Sequence, residues 1–130
     1  MRINFDSMKP IYAQVAAAVE DEIIFGKLRE GEPAYSQLAL SRELRINPAT
    51  AAKGISLLVQ KGVLEKQRGL SMTVAIGAKQ RILDEKREKE LSETVATLVS
   101  QAKKTGLSEE QVIAKIRASF ADAERVGQYE

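Results

Sequence analysis

The spacing of hydrophobic positions near the start of the chain predicts an amphipathic helix. Pro10 suits the first turn of this helix, and Gly26 suits its C-terminal end. Between them, apolar side chains recur on one face: Tyr12, Val15, Val19 and Ile23. The first nine residues are predicted to form a short segment that precedes this helix, and the glycine-containing stretch 27–33 is predicted to be a loop.

Two further helices follow, each with a clear start signal. Ser36 is a candidate N-cap for a helix over Gln37 to Leu44, and after a short turn Asn47 and Pro48 open a third helix that ends at Gly62. The predicted inward face of the third helix carries Ala51, Ile55, Leu58 and Val59. Its outward face is predicted to be small and polar, with Ala49, Lys53, Ser56 and Gln60.

The residues after this helix predict a small β-hairpin with a basic tip. Strands are expected over 63–67 and 72–76, joined by a turn at 68–71. A capped helix followed by a basic hairpin is the layout of a winged helix-turn-helix, which places the helix in the DNA major groove and the hairpin beside it. The predicted fold class is mostly α with a small β-hairpin: a winged helix-turn-helix followed by a two-helix C-terminal dimerisation segment.

The composition changes after Gly77, which divides the chain into a winged-helix DNA-binding domain at 1–77 and a helical dimerisation segment at 78–130. A hinge is expected around Gly77 and Ala78. Gly106 ends the first C-terminal helix, and Ser108 with Gln111 forms a capping box for the last one. Two lone helices cannot bury apolar stripes, so they must pack on the N-terminal unit, on a second copy, or on both. The predicted dimerisation residues are Leu91, Val95, Leu98, Val99, Ile113, Ile116 and Phe120, with Ala102 on the same stripe.

Composition excludes several classes of protein. The 130 residues are 44% hydrophobic and 29% charged, which predicts a soluble globular protein. No apolar run approaches the ~18 residues of a membrane helix and no signal peptide is evident, so a cytoplasmic location and no membrane partner are expected. The chain has no Cys and no His, which removes disulfides, the usual metal ligands and the commonest general base. We therefore predict no catalytic residue, no metal, no cofactor and no enzyme activity.

The charge of the chain is concentrated in one region. The formal net charge is only +2, but residues 42–79 contain seven basic and two acidic side chains, a net +5, which leaves −3 for the remainder. A local basic field on a nearly neutral protein is the electrostatic pattern of a nucleic-acid-binding surface. It is also compatible with an ordinary solvated surface, so charge alone decides little.

The third helix has the side chains that a DNA-reading helix needs at its N-terminal end. Ala49 can touch a thymine methyl group, Thr50 can reach a phosphate or base edge, and Lys53 can meet a phosphate or guanine. The free N–H groups that follow Ser36 suit a phosphate, and the Arg68–Gly69 tip suits a minor groove. The predicted DNA-binding residues are Ser36, Gln37, Asn47, Ala49, Thr50, Lys53, Arg68 and Gly69.

Taken singly, each of these signals also has a structural interpretation as a helix cap, a solvated lysine or a turn. Their order along the chain carries a family resemblance. The runs 10–15, 24–28 and 46–54 resemble the GntR family of bacterial transcription regulators, and the Asn-Pro-x-Thr helix start with the short C-terminal helical pair resembles its YtrA subfamily. The resemblance implies a winged-helix domain and a two-helix dimerisation segment. It further implies a homodimer on a palindromic double-stranded DNA operator, usually repressing a transporter operon.

Single positions match the family pattern or depart from it. Ser36 matches its helix-capping serine, Thr50 its recognition-helix threonine, Lys53 a basic position common in the subfamily, and Arg68–Gly69 the Arg-Gly of the wing. The departures lie beside the second helix and in the wing. They are Ala34-Tyr35 in place of a Leu-Pro pair, Leu38 in place of a phosphate-binding Arg, and Ser71 in place of a later wing glycine.

Two functions remain open from the sequence. The first is a dimeric DNA-binding transcription regulator, probed by the steep salt dependence that phosphate contacts produce. The alternative is a winged-helix protein–protein interaction module without DNA binding, which has no reason to keep the outer face of the third helix small and polar. The C-terminal segment is too short for a separate ligand domain, so the effector is unknown and would bind between helices or at a dimer interface.

Overall fold

The computed structural model describes residues 1–69 and 71–126, which fall into two compact units, Met1–Lys86 and Arg87–Glu130. The first unit contains α1 (Ile11–Ile24), α2 (Gln37–Leu44), α3 (Pro48–Gln60), β1 (Leu64–Lys66), β2 (Met72–Val74) and α4 (Ala78–Glu85). A five-residue π-helical segment, Lys86–Glu90, contains the boundary between the units. The second unit contains α5 (Leu91–Thr105) and α6 (Glu109–Val126). The mostly helical fold with one hairpin confirms the predicted winged helix-turn-helix followed by helices, and the dimerisation role of the C-terminal helices stays a prediction.

Local capping residues set the bounds of the first three helices. Gly26, at φ +84°, ends α1, and the N–H groups of Gly26 and Lys27 reach back to the carbonyls of Ile23 and Glu22. The Ser36 Oγ accepts the Ala39 N–H at 3.0 Å, and the Asn47 Oδ1 accepts the Ala49 N–H at 2.8 Å. Both predicted N-caps are confirmed, and α2 has the predicted bounds.

The core of the first unit lies where α1, α2 and α3 meet the hairpin and α4. Its most deeply buried large side chains are Val15, Val19, Leu40, Leu58, Val63, Val74 and Ile82. The predicted inward position of Val59 is wrong, because its side chain is 38% exposed. Gly54 is buried there instead: a Cβ built on it would lie 2.9 Å from Val15 Cγ1 and 3.1 Å from the Tyr12 carbonyl oxygen. The α1–α3 crossing is therefore so close that a side chain at position 54 would require its neighbours to shift.

The sheet has a third contributor that the sequence did not predict. β1 and β2 pair antiparallel with Leu64 opposite Val74, and both strands are shorter than the predicted 63–67 and 72–76. On the other side of β2, Pro33 forms an isolated antiparallel bridge with Thr73, supported by the Ala34 N–H to Met72 O bond at 2.8 Å. The prediction of a loop throughout 27–33 is therefore wrong at its C-terminal end.

Helix α4 is held firmly on the first unit. The Glu30 carboxylate accepts the N–H groups of Gly77 at 2.8 Å and Lys79 at 3.1 Å, which lowers the pKa of this carboxyl group. Ala78 is completely buried. The predicted hinge around Gly77 and Ala78 is therefore wrong: a backbone with paired N–H groups and a buried side chain is not a free pivot. The first compact unit continues to Lys86, nine residues beyond the domain boundary predicted at Gly77.

The C-terminal end of α3 is tied to both α1 and α4. The Arg81 guanidinium donates to the Gly62 carbonyl at 2.7 Å, and the Lys61 ammonium donates to the Glu20 carboxylate at 2.8 Å and lies 3.3 Å from the Glu85 carboxylate. Burial alone would lower the pKa of Lys61, but the hydrogen bonds and charges of the two carboxylates outweigh burial and raise it. These long-range contacts fix α4 against the body that carries α3.

The second unit is an α5–α6 helix pair with exposed apolar side chains. Gly106, at φ +76°, ends α5, and Ser108 and Gln111 exchange hydrogen bonds of 2.9 and 3.2 Å, so the predicted capping box is confirmed. A groove of about 440 Å³ between the helices is lined by residues such as Val99, Leu107 and Ile113. Several large apolar side chains are exposed: Leu91, Val95, Val99, Ile113, Ile116 and Phe120. In the part of the chain that the structure describes, no helix has the length and apolar character needed to cross a membrane.

Candidate nucleic-acid interface

The outward face of α3 is small, polar and exposed, as the sequence predicts. Ala49, Lys53, Ser56 and Gln60 are all exposed along it, and Thr50 is half-buried at its start. The Asn47 Oδ1 accepts the Ala49 N–H, and the side-chain amide nitrogen is the group of Asn47 that can donate to a phosphate. Small side chains on this face allow a close approach of the helix backbone to a surface.

The start of α2 presents backbone donors beside this face. The Ser36 Oγ caps the Ala39 N–H, and the Ser36 carbonyl accepts the Leu40 N–H. The N–H groups of Gln37 and Leu38 precede the first intrahelical bond and are directed out of the helix end, where an anion is favoured. Leu38 is 52% exposed and supplies no charge at the position where the family pattern carries Arg.

A hydrogen bond next to this helix start explains the departure at Tyr35. The Tyr35 hydroxyl donates to the buried Glu22 carboxylate at 2.7 Å, and the aromatic side chain packs on the core. The hydrogen bond to Glu22, burial and the negative charge of that carboxylate raise the pKa of Tyr35 to about 12. Tyr35, the residue that precedes Ser36, is therefore anchored to α1.

A shallow concavity of about 360 Å³ joins the start of α2, the flank of α3 and the hairpin. Ser36 and Gln37 line it together with Ser56, Lys66 and Ser71. The structure thus brings two predicted residues together with three that were not among the predicted DNA contacts. Ser56 could have been found, because it lies on the helical repeat that contains Lys53. Lys66 and Ser71 could not, since only the folded hairpin brings them against α2.

The hairpin tip projects Arg68 and Gly69, and both are exposed. Gly69 adopts φ +76°, a left-handed conformation that favours glycine, and a Cβ built on it would contact nothing within 4 Å. Leu70, the next residue of the predicted turn, lies outside the described residues. The described part of the tip is thus a thin backbone with a cation beside it.

Three cations on these elements are not paired with acids. Within residues 1–69 and 71–126, Lys53, Lys66 and Arg68 have no carboxylate within ion-pair distance. Lys53 instead lies over the ring of Tyr12, with its Nζ 4.2 Å from the ring centroid. Unpaired cations beside small polar side chains and free helix-terminal N–H groups can bind a polyanion without first breaking ion pairs.

These elements define a class of fold: a winged helix, with α3 at the position of the recognition helix and the β1–β2 hairpin as its wing. The chain is 29% identical over 114 residues to the uncharacterized HTH-type transcriptional regulator YhcF of Bacillus subtilis, covering 88% of this chain and 93% of that protein. No protein-family model matches the chain.

Solved structures give the same class. A putative GntR-family regulator of Bacteroides thetaiotaomicron superposes with a TM-score of 0.71 at 29% identity, covering 88% of this chain and 98% of that one. BusR of S. agalactiae, solved with its busAB-promotor DNA, is similar in fold alone, with a TM-score of 0.56 at 22% identity over 89% of this chain and 55% of that one. The chain is thus similar in sequence and fold to GntR-family transcriptional regulators, as its motifs indicate. The YtrA subfamily and the individual DNA-binding residues stay predictions.

Proposed function

We propose that this protein is a homodimeric transcription repressor that binds a palindromic operator, with α3 in the major groove and the wing at the adjacent minor groove. The observation that carries the proposal is a shared surface: the start of α2, the flank of α3 and Lys66 of the wing line one concavity. Among the described residues, Lys53, Lys66 and Arg68 have no carboxylate within ion-pair distance. Ser36, Gln37, Asn47, Ala49, Thr50, Lys53, Arg68 and Gly69 would contact DNA, with Ser56 and Lys66 added from the structure.

The second unit supports dimerisation through the predicted residues. Leu91 and Phe120 are 57% and 55% exposed, and Val95, Val99, Ile113 and Ile116 are exposed with them. Leu98, the remaining predicted residue, is half-buried in the same unit. A contiguous set of large aliphatic and aromatic side chains is costly to leave in water, and a two-fold interface covers such a set on both copies at once.

The regulatory setting follows from the family resemblance. YtrA-like regulators imply repression of a transporter operon, and an operator-binding protein of this kind works in the cytoplasm, where bacterial DNA lies. No effector is assigned. The competing function, a winged-helix protein–protein interaction module, is less favoured because an α3 face of small residues with unpaired cations offers little apolar area to a protein partner.

The decisive experiment is a selection from a random-sequence duplex library with the full chain, followed by affinity measurements on the enriched sequence. We expect an inverted repeat and an affinity that falls steeply as salt rises. Lys53→Ala and Arg68→Ala should each cost about 1–3 kcal/mol if they read bases, or lower the salt slope by about 1 per lost phosphate contact. Lys27→Ala, an exposed cation outside this surface, is the matched control. Failure to enrich any sequence would favour the interaction module.

A further inference from the structure

A contact at the edge of the α3 surface is not part of the winged-helix pattern described above. The Lys53 ammonium lies 4.2 Å from the centroid of the Tyr12 ring, within the range of a cation–π interaction. Tyr12 is half-buried near the start of α1, and it is absent from the side chains that pack against the core. The ring is therefore available to Lys53.

The close α1–α3 crossing produces this contact. Gly54 has no side chain, and its α-carbon faces Val15 and the Tyr12 carbonyl so closely that even a methyl group would collide with them. The residue before Gly54 is Lys53, and the residue whose carbonyl it meets is Tyr12. The glycine thus brings the start of α1 beside the exposed face of α3, and the aromatic ring reaches the lysine from there.

We propose that Tyr12 is a positioning residue of the DNA-binding surface, which holds the Lys53 ammonium where it donates to DNA. The inference rests on the proposed function. An ammonium group has three N–H donors, and a ring on one side leaves the donors on the other side free for a phosphate or a guanine edge. A lysine side chain loses substantial rotamer entropy when it is fixed. Tyr12 limits that freedom before DNA arrives, so less is lost on binding.

Two other roles for the same contact make different predictions. If the ring sequesters Lys53, removing the ring should tighten DNA binding. If Tyr12 merely packs α1 against α3, removing it should weaken binding equally whether or not Lys53 is present. The positioning role alone requires that the effect of the ring depends on Lys53 and weakens binding when lost.

The test is a double-mutant cycle on the duplex enriched by the wild-type protein, with Tyr12→Leu, Lys53→Ala and the double variant in the full chain. We expect Tyr12→Leu to weaken binding about 2- to 5-fold, the size of a partly exposed cation–π pair. We expect it to change binding less than about 2-fold in the Lys53→Ala background, the limit set by additivity errors. Tyr12→Phe keeps the ring and should bind like wild type.

A second measurement does not depend on whether Tyr12→Leu folds. In the free wild-type protein and in Tyr12→Phe, the Lys53 ε-methylene protons should show the upfield ring-current shift of a group above an aromatic face. The shift should persist in the DNA complex. Any of three results would overturn the inference. They are loss of the ring-current shift on DNA binding, tighter DNA binding by Tyr12→Leu, and an equal loss of DNA affinity on Tyr12→Leu in the wild-type and Lys53→Ala backgrounds. Enrichment of no sequence by the wild type would instead refute the proposed function itself.

Discussion

At the scale of single residues, Asn47 combines an observed capping role with a proposed role in DNA binding. Its Oδ1 caps α3, and the residue is exposed on the proposed DNA surface. We predict that Asn47→Ala lowers the free energy of unfolding by about 1 kcal/mol, whereas Asn47→Asp keeps the cap and most of the stability. Asn47→Asp should nevertheless weaken operator binding, because it replaces an amide donor by a carboxylate near phosphates. Denaturant unfolding and a binding titration on the same samples would separate the two effects, with Ser56→Ala as a stability control. Equal stability of both variants would contradict the capping role.

Tyr35 gives a prediction about alkaline pH. Its folded pKa of about 12 lies above the ordinary tyrosine value of 10.0, so the folded state holds this proton after the unfolded state has lost it. The stabilisation is fully present below pH 10 and declines as pH rises towards 12. We expect Tyr35→Phe to be less stable than wild type at pH 7, since Glu22 loses its hydrogen-bond donor, and the difference to shrink over that alkaline interval. Unfolding titrations of both proteins from pH 7 upward measure this difference. A constant difference across the interval would contradict the assignment.

At the scale of elements, the α1–α3 crossing depends on Gly54. Alanine is the better helix former, but its Cβ would lie 2.9 Å from Val15 Cγ1 and 3.1 Å from the Tyr12 backbone. We predict that Gly54→Ala destabilises the protein by about 1–3 kcal/mol, as overpacking of a core does. Thermal or denaturant unfolding is the measurement. Ala52→Gly on the same helix is a useful comparison, because there the alanine is the stabilising residue; a Gly54→Ala variant more stable than wild type would show that the helices can separate freely.

Elements with local signals were predictable from the sequence, whereas those with distant partners were not. The bounds of α2, the start of α3 and the Ser108 capping box followed from side chains within three residues of each helix end. Pro33 pairs with Thr73, but the sequence around Pro33 lacks the alternation of a strand, and a proline argues against one. The packing of α4 was missed because Glu30 and Arg81 bond to backbone groups 47 and 19 residues away.

The candidate site shows the same division. The polar face of α3 follows from helical spacing, so the sequence alone places Lys53 and Ser56 on one side of the helix. The contact between Lys53 and Tyr12, and the position of Lys66 beside Ser36, depend on how separate elements pack. Sequence periodicity places a side chain on a face but does not say which other element that face meets.

At the scale of the whole molecule, the boundary at Lys86 determines which truncations should work. We predict that residues 1–86 form a folded monomer, because the first compact unit ends there and the exposed apolar side chains of the second unit are removed. Residues 1–77 should be much less stable, since that truncation removes Ala78 and Ile82, which are 0% and 2% exposed. Sedimentation and thermal unfolding of both fragments provide the test. A dimeric 1–86 fragment would place the interface in the first unit.

The proposed dimer also predicts the geometry of the operator. Two recognition helices that enter successive major grooves on one face of the duplex need half-site centres about 10 bp apart, or a multiple of that. An insertion of about 5 bp rotates one half-site to the opposite face. The affinity for this operator should then fall to that of one DNA-binding unit on one half-site. An insertion of about 10 bp returns both half-sites to the same face of the duplex and is the matched control for length. A footprint indifferent to the half-turn insertion would contradict a symmetric dimer.

The bridge between Pro33 and Thr73 has a consequence for self-association. The segment 31–34 forms one edge of the sheet and bonds to β2 through the Gly31 N–H, the Ala34 N–H and the Glu32 carbonyl. The last two groups lie on either side of Pro33. The nitrogen of residue 33 therefore falls on the edge that faces away from β2, and proline leaves no hydrogen there for an incoming strand. Protein edges are commonly blunted in this way against strand-to-strand aggregation. A strand that approached this edge of the sheet would therefore find no N–H donor at position 33.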